Sequence, residues 1–381
     1  MGDGVQPPDV TRTMLWLLLS RTPPRPASPD AELRTALAAQ WNKDFTPVVP
    51  LDRGQGAGGA AQEPLAQAVR AAAGHGWAWW REGPGAWRPE PAAEVLRRLD
   101  LSPVRLDVRP RTDGADDLPA LAHALHHHVR LRTLLRAGAA GTQRLSALLA
   151  GGAEHGPGGS PGAGPGSGSG STSSAGAGAT SGSGEQRLAQ PYVLRRAWQL
   201  IFTSVDQLIA QGGELAHWTV HCGRPPTGCA ARQLLCLHRA AFLAERQQAL
   251  VLDPRHNGGR LLFPAAGPSA GGGFSDAVGA AAAHLEAIKA HRHASEREPD
   301  APERTAEVAE SLERAWRTVA SLFLTLAELS RQTGSEPAAG LWRRLADSRT
   351  PLDADRSADD VVADTARWLE SEFQAEPAPP G

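Results

Sequence analysis

Residues 151–184 are almost entirely Gly, Ser, Ala, Pro and Thr, with the run GSGSGSTSS at 166–174. Such a segment has little to bury and much conformational entropy to lose, which predicts a flexible tether. It divides the 381 residues into two unlike parts, and every expectation falls on one side or the other. The expected organisation is a mixed α/β domain over 1–150, a disordered Gly/Ser/Ala-rich linker over 151–185, a helical domain over 186–373 and a frayed tail over 374–381.

Ahead of the tether, the continuous apolar run at 13–20 has the pattern of a strand buried on both faces. Leu33, Leu37 and Trp41 follow at helical spacing, 45–51 reads as an edge strand broken by Pro47 and Pro50, and 62–73 as a helix. Trp77, Trp79, Trp80 and Trp87 flank Glu82-Gly83-Pro84-Gly85, which predicts a β-hairpin. A helix at 94–99, a strand at 104–108 and a long helix over 117–136 complete an interleaved pattern that predicts an α/β or α+β sandwich. Beyond residue 186 the period changes to about 3.6, with helices expected through 194–209, 230–252, 274–291, 301–331, 341–345 and 361–373. The expected fold class is therefore α+β overall: an N-terminal sandwich with a Trp-rich hairpin, the linker, and a C-terminal all-α helical bundle.

Composition bounds the function classes. Basic residues number 39 and acidic 41, for a formal charge of −2, which argues against a nucleic-acid partner. Lys43 and Lys289 are the only lysines and Tyr192 the only tyrosine. This Arg-rich, Lys- and Ile-poor usage is what a GC-rich genome imposes, and it explains the arginines before phosphate binding does. Cys222, Cys229 and Cys236 are an odd set of cysteines within fifteen residues, unlike a disulfide framework. The short apolar run at 14–19, followed by Pro23-Pro24-Arg25-Pro26, does not read as a secretory signal. A cytoplasmic setting with no membrane partner is expected.

Several clusters carry chemistry at the level of residue type. Thiolates and imidazoles favour zinc, and His217, His221, Cys222, Cys229, Cys236 and His238 are dense enough to raise it. Their spacing argues the other way. On a helix, Cys229 and Cys236 lie two turns apart, roughly 10 Å by the helical rise, too far for one zinc. Packing in a helix seam is the leading reading, with a zinc ligand set, or a nucleophilic Cys222 served by His221 or His238, as alternatives. His123 and His127 have the i,i+4 spacing of zinc sites but lack an intervening acid, so the row through His128 reads as a solvated, weakly pH-sensitive face. Asp113, Asp116 and Asp117 read as a turn and helix cap. The glycines at 54–59 lack the ending of a phosphate-binding loop. Trp77, Trp79, Trp80 and Trp87 are the candidate interaction surface.

No segment names a reaction, so no catalytic residue, cofactor or metal is assigned. The expected function is a non-catalytic interaction or adaptor subunit with a protein partner or a second copy of itself. A Cys/His-dependent hydrolase or zinc enzyme using the 217–238 cluster stands as the first alternative, and a nucleic-acid-binding module as the second.

Overall fold

The computed structural model describes residues 5–21, 29–50, 64–83, 86–105, 118–154, 203–204, 207, 210–211, 228–253, 274–297, 304–333, 340–347 and 357–375. The first elements are α1 (Pro8–Arg21), α2 (Pro29–Asn42), β1 (Thr46–Pro47), α3 (Pro64–Ala72), β2 (Trp77–Gly83), β3 (Ala86–Pro91) and α4 (Ala92–Arg98). The helices α5 (Leu118–Glu154), α6 (Cys229–Leu252), α7 (Phe274–Arg297), α8 (Arg304–Thr333), α9 (Leu341–Asp347) and α10 (Ala358–Ala375) follow. Among the described residues, one three-stranded antiparallel sheet of order β1-β2-β3 is the only sheet. No described helix is long and apolar enough to cross a membrane.

This overturns the α+β expectation. Residues 13–20 are not a buried strand but the body of α1. Val10, Met14 and Leu17 are buried with Thr11 and Leu15, while Trp16 is 49% exposed. Steps of three and four make a helical stripe; alternation would have put Met14 and Trp16 on one face. The run is Leu- and Met-rich with no β-branched residue after Thr13, and those residues lose little rotamer freedom in a helix. The strand expected over 104–108 is not seen at 104–105, and the rest of it lies outside the described residues. Without these strands there is no sandwich. The tether expectation also lies outside the described residues, except that α5 extends through 151–154.

The chain divides into two compact units, each with residues from both sides of the Gly/Ser-rich stretch. One comprises Met1–Leu131, Gly213–Leu234 and Arg292–Glu310. Its core has two clusters. Val10, Met14, Leu15, Leu17, Val49, Leu65, Leu118 and Leu121 form the first. Leu33, Leu37, Phe45, Val69, Ala78, Val95 and Leu96 form the second, against which Trp80 packs. The hairpin is where the sequence places it, with Trp77 opposite Pro91, Trp79 opposite Pro89 and Arg81 opposite Trp87. Side chains alternate along β2, so Ala78 and Trp80 take the face toward this cluster, and Trp77, Trp79 and Arg81 the other.

The second unit comprises Arg132–Gly212, Leu235–His291 and Ser311–Gly381. Its centre is α8: every residue from 318 to 330 is buried. A helix enclosed on all sides must pair its polar groups internally. Thr318, Thr325 and Ser330 donate to the carbonyls of Arg314, Ser321 and Leu326 at 3.0, 2.8 and 2.7 Å. Gln248 Nε2 donates to Thr325 Oγ1 at 3.2 Å. Phe323 stacks on Trp342 at 4.6 Å between ring centroids and meets Phe373 edge-on at 6.4 Å.

Candidate functional site

The sequence-nominated clusters separate. His217, His221 and Cys222 lie outside the described residues, as do Asp113, Asp116, Asp117 and the glycines at 54–59. Cys229 and Cys236 are buried on α6, and His238 is half-buried on the same helix. Burial holds the Cys236 thiol above its ordinary pKa, against a smaller opposing pull from Arg239. That favours an inert thiol over a thiolate. Among the described residues, no three His, Cys, Asp or Glu side chains are grouped so as to hold a metal ion.

The hairpin tryptophans divide between the two faces. Trp80 packs on the core with the Arg98 guanidinium 5.3 Å from its ring centroid. Trp87 carries the Arg81 guanidinium at 5.6 Å. Trp77 is 53% exposed. The Trp79 indole N–H is buried with no acceptor among the described residues.

The histidine row on α5 departs furthest from expectation. His127 and His128 are each 5% exposed, not solvated, and His123 and His126 are half-buried. The core stripe of α5 passes through Leu121, Ala124, His128 and Leu131 at helical spacing. Imidazoles that follow apolar neighbours at that period share their burial, a signal the sequence carries but composition alone does not reveal. The His123 and His127 rings lie 5.9 Å apart at 49°, and the His126 and His127 rings 5.9 Å apart at 58°. Removal from water disfavours the charged imidazolium. Burial alone pushes His123 down to about 4. His126 falls to about 4 by burial first, then the Arg130 and His123 charges. His127 lies well below its ordinary value from burial, with His126, His123 and Arg130 adding to it.

Three neutral imidazoles thus stand side by side at physiological pH, each with one nitrogen able to accept a proton and one able to donate. Gln233 fixes the backbone between them: its Nε2 donates to the Ala124 carbonyl at 2.9 Å in a buried bond. Gln233 does not stand out in the sequence as part of such a site, because it lies 109 residues from Ala124 along the chain.

No protein-family model matches the chain, and no curated protein sequence matches it. Its fold does match solved structures.

The fold is that of the ammonia-lyases and aminomutases. Histidine ammonia-lyase from Trypanosoma cruzi superposes with a TM-score of 0.58 at 14% identity, covering 97% of this chain and 79% of that one. Tyrosine aminomutase from Streptomyces globisporus gives 0.59 at 16%, covering 97% and 81%. Phenylalanine aminomutase from Pantoea agglomerans gives 0.53 at 12%, covering 95% and 80%. This likeness corrects the separation into sandwich and bundle, since the ammonia-lyase fold is mostly helical. It corrects the functional expectation too. The adaptor reading, and the leaning against an enzyme, rest on missing catalytic signatures, a flexible linker and amphipathic helices rich in Leu and Trp, whereas the scaffold found is one that enzymes use. In a helical scaffold, groups that work together come from distant segments, so a missing local motif says little about catalysis.

Proposed function

We propose that this chain is an enzyme of amine chemistry on an aromatic amino acid, a lyase that releases ammonia or a mutase that moves the amino group. The supporting observation is the ammonia-lyase and aminomutase fold across 97% of the chain. In the lyase direction, the Cβ–H and Cα–N bonds break, a Cα=Cβ bond forms, and the products are ammonium and a conjugated acrylate. A base must take the Cβ proton, and a neutral imidazole has the free nitrogen for it. One held near 4 is a weaker base than an ordinary imidazole, and any approach of the substrate's charge has to act against that. His123 and His126, half-buried and neutral, are the residues proposed for it, with His127 behind them.

Departure of the amine also needs an electron sink, which no unmodified side chain supplies. The sequence has no Ala-Ser-Gly run, and its Xaa-Ser-Gly runs at 166–168, 168–170, 180–182 and 182–184 lie outside the described residues. The residues of this chain are therefore assigned proton transfer and substrate holding, and no step is routed through a sink. The cytosol is the proposed setting, supported by three closely spaced cysteines that do not make a disulfide framework.

The test is incubation of the purified full chain with L-histidine, L-tyrosine and L-phenylalanine, each also in D2O. Ammonia, the acrylate absorbance, the β-amino acid and deuterium at Cβ are read separately. The expected result is product or Cβ exchange with one of the three, reduced about 100-fold or more by His126→Gln, as for loss of a general base. Absence of all four signals with every substrate overturns the reading.

A further inference from the structure

The hairpin face that turns away from the Phe45 cluster bears, in cross-strand pairs, Trp77 with Pro91, Trp79 with Pro89, and Arg81 with Trp87. Trp77 and Pro91 are both exposed, at the open end of the strip. On this face the molecule already sets a Pro-x-Pro sequence, Pro89-Glu90-Pro91, against tryptophans two residues apart. The chain holds another Pro-x-Pro at Pro377-Ala378-Pro379, preceded by Glu376 and followed by Pro380.

We propose that this face docks the proline-rich segment 376–381 of a second copy of the chain. The two repeats match in length. Tryptophans two apart on a strand are spaced about 6.7 Å, and prolines two apart in a polyproline II segment about 6.2 Å. Proline-rich segments enter aromatic-lined surfaces at low entropic cost because the extended helix is formed beforehand. Their prolines carry carbonyls without N–H groups, so they bring acceptors rather than competing donors. Charge agrees as well: Arg81 sits on the strip, and Glu376 leads the segment. Tryptophan side chains anchor protein interfaces more often than other residues, and a half-exposed Trp77 gains most from being covered.

The test uses the full chain in three forms: unmodified, Trp77→Ala, and Pro377→Ala/Pro379→Ala/Pro380→Ala. Light scattering after size exclusion follows association over a wide concentration range. A synthetic Glu-Pro-Ala-Pro-Pro-Gly peptide is titrated against tryptophan fluorescence. The unmodified chain should self-associate, and each variant should need at least about tenfold more protein to do so. The peptide should shift the fluorescence of the unmodified chain saturably and that of Trp77→Ala at least about tenfold more weakly. Trp77→Leu, apolar but without the flat ring, guards against a folding effect and should behave like Trp77→Ala. Self-association unchanged in the proline variant overturns the proposal, as does a chain that stays monomeric and ignores the peptide. Loss in Trp77→Ala alone would assign the face to another occupant.

Discussion

Gln233 Nε2 donates to the Ala124 carbonyl across 2.9 Å, inside the turn of α5 that separates His123 from His127. That carbonyl belongs to a helix and is already placed to accept from the N–H four residues on. The Gln233 bond is therefore a second, tertiary one, made by a side chain 2% exposed. It ties α6 to the segment carrying the imidazoles. Gln233→Leu keeps the volume and removes the donor. It is expected to lower stability by about 1 kcal/mol, the usual net worth of a buried hydrogen bond, measured as a urea midpoint at unchanged slope. A larger effect on exchange of the Ala124–Arg130 amides than on global stability would mark the bond as local.

The histidine row sets a pH dependence whose sign is fixed. His123 and His126 are held near 4 in the folded chain and titrate near 6.5 when unfolded. Between those values the unfolded chain binds more protons, so stability is complete above about pH 6.5 and is lost as pH falls toward about 4. Urea midpoints taken from pH 7.5 to 4 should fall through this window. His123→Gln with His126→Gln should flatten the fall. An unchanged slope in that variant would place the acid sensitivity elsewhere.

Two glycines on α5 should respond oppositely to alanine. Gly138 has open space where a Cβ would go, so Gly138→Ala should gain about 0.5–1 kcal/mol by helix propensity. At Gly141 the added Cβ would stand 3.1 Å from Phe323 Cε2 and 3.5 Å from Leu322 Cδ2. Phe323 is wedged between Trp342 and Phe373 and has little room to give way. Gly141→Ala should therefore lose about 1–2 kcal/mol, as overpacked cores do. Thermal melts of the two single variants decide it.

Asp100 adopts φ of 51° just past the end of α4, where glycine carries no steric penalty. Its carbonyl, with that of Leu99, accepts from Lys43 Nζ at 3.1 and 3.0 Å, and those bonds survive any side-chain change. Asp100→Gly should raise stability by about 0.5–1 kcal/mol. Asp44, at φ 62°, offers the contrast. Its carboxylate faces Arg12 at 3.1 Å, and Arg12 in turn covers the Trp41 ring at 4.7 Å. Asp44→Gly should gain less than Asp100→Gly in the same melt.

Much of the secondary structure can be read from local rules. The tryptophan runs around Gly83-Pro84-Gly85 define the hairpin, and 3.6-residue periodicity marks α6 and α8 to within a few residues at either end. The failure at α1 is instructive, because Met14–Leu19 is apolar on every side and periodicity has nothing to grip. Burial then came from partners such as Val49, Leu65 and Leu118, which lie far along the chain. The histidine row failed differently. His123, His126, His127 and His128 are polar by type, and only the packing of the N-terminal half of α5 shows them withdrawn from water. Cys236 went the other way, its seven-residue spacing from Cys229 being a legible sign of a buried seam.

Because residues 318–330 have no side facing solvent, their amide protons have no local route to water. Fraying and loop opening cannot release them; only a transition that separates the surrounding helices can. Exchange from this stretch should be the slowest in the chain, with a free energy equal to that of unfolding its whole unit. Thirteen consecutive amides would then report one number, giving any ligand that binds this unit an internal gauge of how tightly it holds.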